Sequence, residues 1–107
     1  KLNIALNYGA RSEILMAANK AINKKSGVML ESDLTDNLYT KGMPDVDLLI
    51  RTGGQKRLSN FLLWQIAYSE LYFIDTLWPD FSDKDFVSAI YFFQNTVRKF
   101  GNLKGDT

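Results

Sequence analysis

Between Asp45 and Phe81 the chain reads DVDLLIRTGGQKRLSNFLLWQIAYSELYFIDTLWPDF, which gathers Arg51, Arg57, Ser59 and Glu70 around one expected strand-to-helix junction. A guanidinium fork binds phosphate oxygens through paired, charge-assisted hydrogen bonds. Two such forks, a hydroxyl and the N–H groups of a helix start therefore suit a diphosphate. Glu70 adds a carboxylate oxygen for the metal that accompanies such a group. Each residue also has a plainer reading. Arg51 and Glu70 are ordinary ion-pair formers, Arg57 an ordinary surface charge, and Ser59 an ordinary helix cap. The joint spacing of Arg51, Arg57 and Ser59 favours the diphosphate.

The elements that must hold these residues follow from the apolar pattern. Val46–Ile50 is a branched apolar run of the kind covered on both faces of a parallel sheet, whose ligands bind at the carboxyl ends of the strands. Gly53 and Gly54 then permit a turn with positive φ and a close approach to a ligand. Ser59 is expected to cap a helix over about Asn60–Tyr68. Upstream, Leu2–Tyr8 reads as a strand, followed by a helix from about Ser12 to Lys25 with Ile14, Leu15, Ala18, Ala21 and Ile22 on its apolar face and Gly27 beyond its end. A short helical turn is expected around Leu34–Tyr39, and Pro44 introduces the Val46 strand. Leu71–Ile74 is a further short strand, followed by a loop of Trp78, Pro79 and Phe81. Ser82 with Asp85 forms a capping-box pattern, and Phe86, Ala89, Ile90, Phe93, Val97 and Phe100 carry a last helix to Gly101. Asn102–Thr107 reads as a frayed tail. Three short strands separated by helices predict an α/β fold, a parallel β-sheet with flanking helices.

Composition bounds the function classes. Thirteen Lys and Arg against 12 Asp and Glu, out of 107 residues, give no general attraction to nucleic acid, so useful positive charge must be local. Cysteine is absent, which excludes disulfides and thiolate metal sites and fits a cytoplasmic setting. Gln65, Ser69 and Glu70 interrupt the apolar stretches before they reach the length of a membrane span, and the start shows no signal peptide. Twelve of the 14 aromatic residues follow position 60, a stripe that reads as core or subunit interface before it reads as a substrate tunnel.

RTGG, RLSNFLLWQ, AYSELYF and LWPDF, with LNYGARSEI upstream, resemble in order and spacing the signature blocks of the cis-prenyltransferases of the undecaprenyl diphosphate synthase type. The resemblance implies the C-terminal half of that family's fold, with residues 1–107 forming part of a single catalytic domain. It implies condensation of isopentenyl diphosphate with farnesyl diphosphate in cis, giving undecaprenyl diphosphate, the lipid carrier for cell-wall synthesis. By the same resemblance Arg51, Arg57, Leu58 and Ser59 bind isopentenyl diphosphate, Glu70 helps hold Mg2+, and the enzyme is a cytoplasmic homodimer whose product passes to the membrane. The family's catalytic aspartate and its allylic diphosphate loop belong to the other half, so a fragment of this kind is expected to be inactive alone. Gln55 and Lys56 depart from the family's commoner glutamate and histidine, Ala10 from a second glycine, and Lys99 from arginine. Two other readings stay open: a noncatalytic subunit of a prenyltransferase, and a stand-alone diphosphate-binding module.

Overall fold

A computed structural model describes residues 1–96 of the chain, which forms two compact units. Lys1–Pro44 and Leu58–Trp64 make the first, Asp45–Arg57 and Gln65–Thr107 the second.

In the first unit, helix α1 spans Ala10–Lys24. Its ladder opens with the Glu13 N–H on the Gly9 carbonyl at 3.1 Å and closes with the Lys25 N–H on the Ala21 carbonyl at 3.1 Å. Lys24 in the last turn suits the negative end of the helix dipole. The buried face is Ala10, Glu13, Ala17 and Ala21, so of the expected apolar set only Ala21 is sealed, while Leu15 and Ile22 face solvent. Small side chains let α1 come close to its neighbours, and a hydrogen-bonded glutamate takes the place of a large hydrophobe. Helix α2 spans Glu31–Thr35, earlier than the turn expected from Leu34, because the Asp33 carboxylate accepts the Leu30 N–H at 2.8 Å and starts the helix there.

Two expected elements do not form. Leu2–Tyr8 is not a strand: Leu2, Ile4 and Leu6 alternate as a strand would, but no neighbouring strand pairs with them among the described residues, and all three are exposed. The expected Asn60–Tyr68 helix is replaced by turns, since Ser59, Asn60 and Leu62 adopt φ of 52°, 64° and 46°, outside the right-handed helical region.

The second unit holds strands β1 (Leu48–Arg51) and β2 (Glu70–Phe73), paired in parallel with Leu48 opposite Glu70 and Arg51 opposite Phe73. The described sheet therefore has two strands where three were expected, and the parallel α/β arrangement with helices holds. The ladder is framed by the Glu70 N–H on the Asp47 carbonyl at 2.9 Å and the Ile74 N–H on the Arg51 carbonyl at 3.0 Å. After a single 3-10 turn at Trp78–Asp80, helix α3 spans Asp83–Gln94. It packs on β2 through Tyr72 and Phe92, whose ring centroids lie 5.2 Å apart, and it seals Ala89 completely. Val97, Phe100, Gly101 and the expected tail lie outside the described residues. Among the described residues no helix is long and apolar enough to cross a membrane.

The expected capping box starts α3: the Asp85 N–H donates to the Ser82 hydroxyl at 3.2 Å, and the Asp85 carboxylate accepts the Ser82 N–H at 3.0 Å. Ser82→Ala should remove about 1 kcal/mol of stability, lowering the thermal midpoint by several degrees for a chain of this size. Calorimetry on the two proteins checks it; equal midpoints would refute the cap.

Candidate functional site

In the second unit Arg51 closes β1 at its carboxyl end, half-buried, and its Nη1 donates to the main-chain carbonyl of Arg57. That bond orients the planar guanidinium and closes residues 51–57 into a loop, which places the main chain of Arg57 beside the Arg51 fork. The Arg57 residue itself is exposed. Gly53 and Gly54, at φ of 90° and 83°, make the turn that the sequence predicts. Their N–H groups donate within the unit, to the Thr76 carbonyl at 2.9 Å and the Ile74 carbonyl at 3.1 Å. The glycine pair thus braces the Arg51 loop against the exit of β2 and spends its donors there, not on a ligand. A Cβ on Gly54 would stand 3.3 Å from Asp75 Oδ1, so both backbone angle and space favour glycine at that position.

Glu70 opens β2, half-buried, opposite Leu48. Arg51 lies three residues further along the parallel pair, about 10 Å away at the rise of a strand. The structure therefore brings Arg51 and Arg57 together and sets Glu70 at the other end of the strands. Among the described residues no group of three or more carboxylates or other metal-ligating side chains stands together. Glu70 carries a hard oxygen of the kind magnesium takes, and no metal site forms around it among the described residues.

Leu58 and Ser59 belong to the first unit. Ser59 is exposed at φ 52° and caps no helix, which corrects the expected N-cap role. A cap residue needs extended backbone and a helix behind it, and the positive φ values at Ser59, Asn60 and Leu62 deny both. Leu58 is half-buried, and its carbonyl accepts the Phe61 N–H at 3.2 Å, which folds the RLSN segment back on itself.

Sequence reasoning passed over the most buried charged side chain of the unit. Glu13 is 1% exposed. Its carboxylate accepts the Tyr8 hydroxyl through Oε1 and the Tyr39 main-chain N–H through Oε2 at 2.7 Å. Burial and the neighbouring Glu13 carboxylate push the Tyr8 phenol well above its usual value, with the Leu62 main chain pulling the other way. The signal was the spacing of Glu13, Ala17 and Ala21 on one helix face, where alanines left room for a buried acid. Elsewhere in the unit Lys24, Lys25, Lys41, Asp33 and Asp36 line an open hollow of about 380 Å³. Its charges are partly spent on each other: Lys25 pairs with Asp33 at 2.7 Å and holds that carboxyl below the usual carboxylate range.

Comparison with known proteins adds to this geometry. The sequence profile of a family described as putative undecaprenyl diphosphate synthase matches residues 1–101. An isoprenyl transferase of Listeria monocytogenes (strain F2365) is 55% identical over 108 aligned positions, covering 95% of this chain and 43% of the relative. The crystal structure of a probable undecaprenyl diphosphate synthase from Campylobacter jejuni superposes with a TM-score of 0.80 at 46% identity, over 92% of this chain and 46% of that one. Lavandulyl diphosphate synthase from Lavandula x intermedia, solved in complex with dimethylallyl diphosphate, superposes at 0.85 with 37% identity, over 92% and 45%. The chain thus spans less than half the length of each of these relatives.

The Tyr8–Glu13 pair makes stability depend on alkaline pH. A phenol whose value is raised by folding contributes stability that is fully present below its unfolded value of about 10 and is lost as pH rises through the folded one. Between pH 8 and pH 11 the melting temperature of the parent chain should therefore fall further than that of Tyr8→Phe, which keeps every other titrating group. Parallel falls in the two melting curves would rule the pair out as the cause. Glu13→Gln, which turns an amide donor toward one of two donors, should lose about 2 kcal/mol in denaturant unfolding.

Proposed function

Because this chain belongs to the undecaprenyl diphosphate synthase (isoprenyl transferase) family, we propose that it carries the isopentenyl diphosphate-binding part of a longer cis-prenyltransferase. That enzyme joins isopentenyl diphosphate to farnesyl diphosphate in cis and yields undecaprenyl diphosphate, the carrier lipid of cell-wall assembly. The observation that carries the reading is the contact of the Arg51 guanidinium with the Arg57 main chain, which collects two arginines on one loop at the carboxyl end of a parallel strand. Open α/β sheets bind their ligands at that end.

In this mechanism Arg51 and Arg57 meet the diphosphate of isopentenyl diphosphate with charge-assisted hydrogen bonds. The Ser59 hydroxyl donates a further one, and Leu58 contributes main-chain contact. Holding the diphosphate end fixes where the alkene at the other end of this five-carbon substrate lies, which is the orientation the new carbon–carbon bond requires. Glu70 would supply one oxygen to Mg2+, whose contribution when bound is to offset charge on diphosphate oxygens. The same cationic loop steadies the negative charge that grows as the allylic diphosphate departs. The similarity to lavandulyl diphosphate synthase, solved in complex with dimethylallyl diphosphate, supports a prenyl diphosphate as the class of ligand. In this reading the full enzyme is a cytoplasmic homodimer whose product passes to the membrane.

Arg51→Ala or Arg57→Ala in the full-length enzyme should raise KM for isopentenyl diphosphate roughly 10- to 100-fold, the worth of a charged hydrogen bond of about 1.5 to 3 kcal/mol. Steady-state kinetics with farnesyl diphosphate and magnesium saturating provide the check. An unchanged KM in both variants would sink the assignment.

A further inference from the structure

Helix α1 begins without a cap of its own. Gly9 stands at the N-cap position and has no side chain to offer, yet the first N–H groups of a helix need acceptors from outside it. Asn60 supplies two. Its main-chain carbonyl accepts the Ala10 N–H at 2.8 Å, and its side-chain Oδ1 accepts the Arg11 N–H at 2.9 Å, across 49 residues of sequence. Gly9 makes room for this seat, because a Cβ there would stand 3.0 Å from Asn60 Nδ2. The neighbouring residue is fastened as well: Phe61 packs edge-on against Tyr8 with ring centroids 5.7 Å apart, and Tyr8 is itself held by Glu13.

These fastenings hold a turn that would not keep its shape unaided. Ser59, Asn60 and Leu62 have φ of 52°, 64° and 46°. Asparagine enters that region readily, but serine and leucine do so only where surrounding structure over-determines the backbone. Leu58 and Ser59, the residues read as part of the diphosphate site, sit at the start of this turn. Their main-chain course is therefore set by how Asn60 docks on α1.

We propose that Asn60 is a positioning residue for isopentenyl diphosphate: by capping α1 from a distance, it fixes Leu58 and Ser59 in the conformation that receives the diphosphate, without touching the substrate. The inference rests on the diphosphate reading of Ser59 and names the residue that gives that reading its geometry.

The experiment places two substitutions in the full-length enzyme. Asn60→Gly keeps the positive φ and the main-chain carbonyl and deletes only the side-chain acceptor. Gly9→Ala leaves Asn60 intact and crowds its side chain from the other side. Asn60→Gly should raise KM for isopentenyl diphosphate roughly tenfold, the worth of one lost hydrogen bond, while KM for farnesyl diphosphate and kcat stay within about threefold. Gly9→Ala should give the same signature, at about threefold, since it displaces the same bond without removing it. Should Asn60→Gly fail to fold, Gly9→Ala decides by the same criteria. If both variants leave KM for isopentenyl diphosphate unchanged while Arg51→Ala raises it, positioning by Asn60 is overturned and the diphosphate reading stands. Equal rises for both substrates would overturn it too, in favour of general loosening. If Arg51→Ala is also silent, the diphosphate reading itself fails and takes this inference with it.

Discussion

The buried carboxylate of Glu13 imposes the strictest condition on the first unit. Removing a charged carboxylate from water costs several kcal/mol unless donors replace the lost hydration, and this one is 1% exposed. Its named donors come from Tyr8, just before α1, and from Tyr39, beyond α2. The unit can bury Glu13 only when the residues before α1, α1 itself and the turns after α2 are all in place together. The alanines at positions 10, 17 and 21 complete the condition by keeping that face of α1 thin. Tyr8, fixed by Glu13, in turn gives Phe61 a surface to pack on, so the acid's influence reaches the turn that follows Ser59.

The second unit is governed by register. Pairing Leu48 with Glu70 and Arg51 with Phe73 sets which residues emerge at the carboxyl end of the strands. Arg51 emerges there, the glycine pair turns the chain, and the bond to the Arg57 carbonyl closes the loop. A slip of one residue would turn Arg51 to the other face of the sheet. The hydrogen bonds of Gly53 and Gly54 to the chain leaving β2 guard against that slip, because they tie the loop to the strand it must stay level with.

The sequence carried those features whose cause is local. β1 and β2 are built on the apolar runs Leu48–Ile50 and Leu71–Phe73, Gly53 and Gly54 stand where a turn needs positive φ, and Ser82 with Asp85 announces a helix start within four residues. What escaped depends on distant partners. Leu2–Tyr8 has the alternation of a strand, but a strand exists only with a neighbour to pair with. Asn60–Tyr68 has the composition of a helix, but positive φ at Ser59, Asn60 and Leu62 overrides propensity. Glu13 was passed over because its donors lie 5 and 26 residues away. Of the candidate site, the residue types and the Arg51 loop were legible, whereas the conformation of Ser59 was not, since it is written in the contact between Asn60 and α1.

That contact spans 49 residues, and the span has a kinetic meaning. Closing a chain segment of this length costs about 3 kcal/mol of loop entropy by the logarithmic rule, and helix α1 must exist before there are N–H groups for Asn60 to receive. Ordering of the Ser59 turn through Asn60 therefore presupposes that α1 has formed. Any ligand that takes hold of that turn would share one linked equilibrium with its ordering.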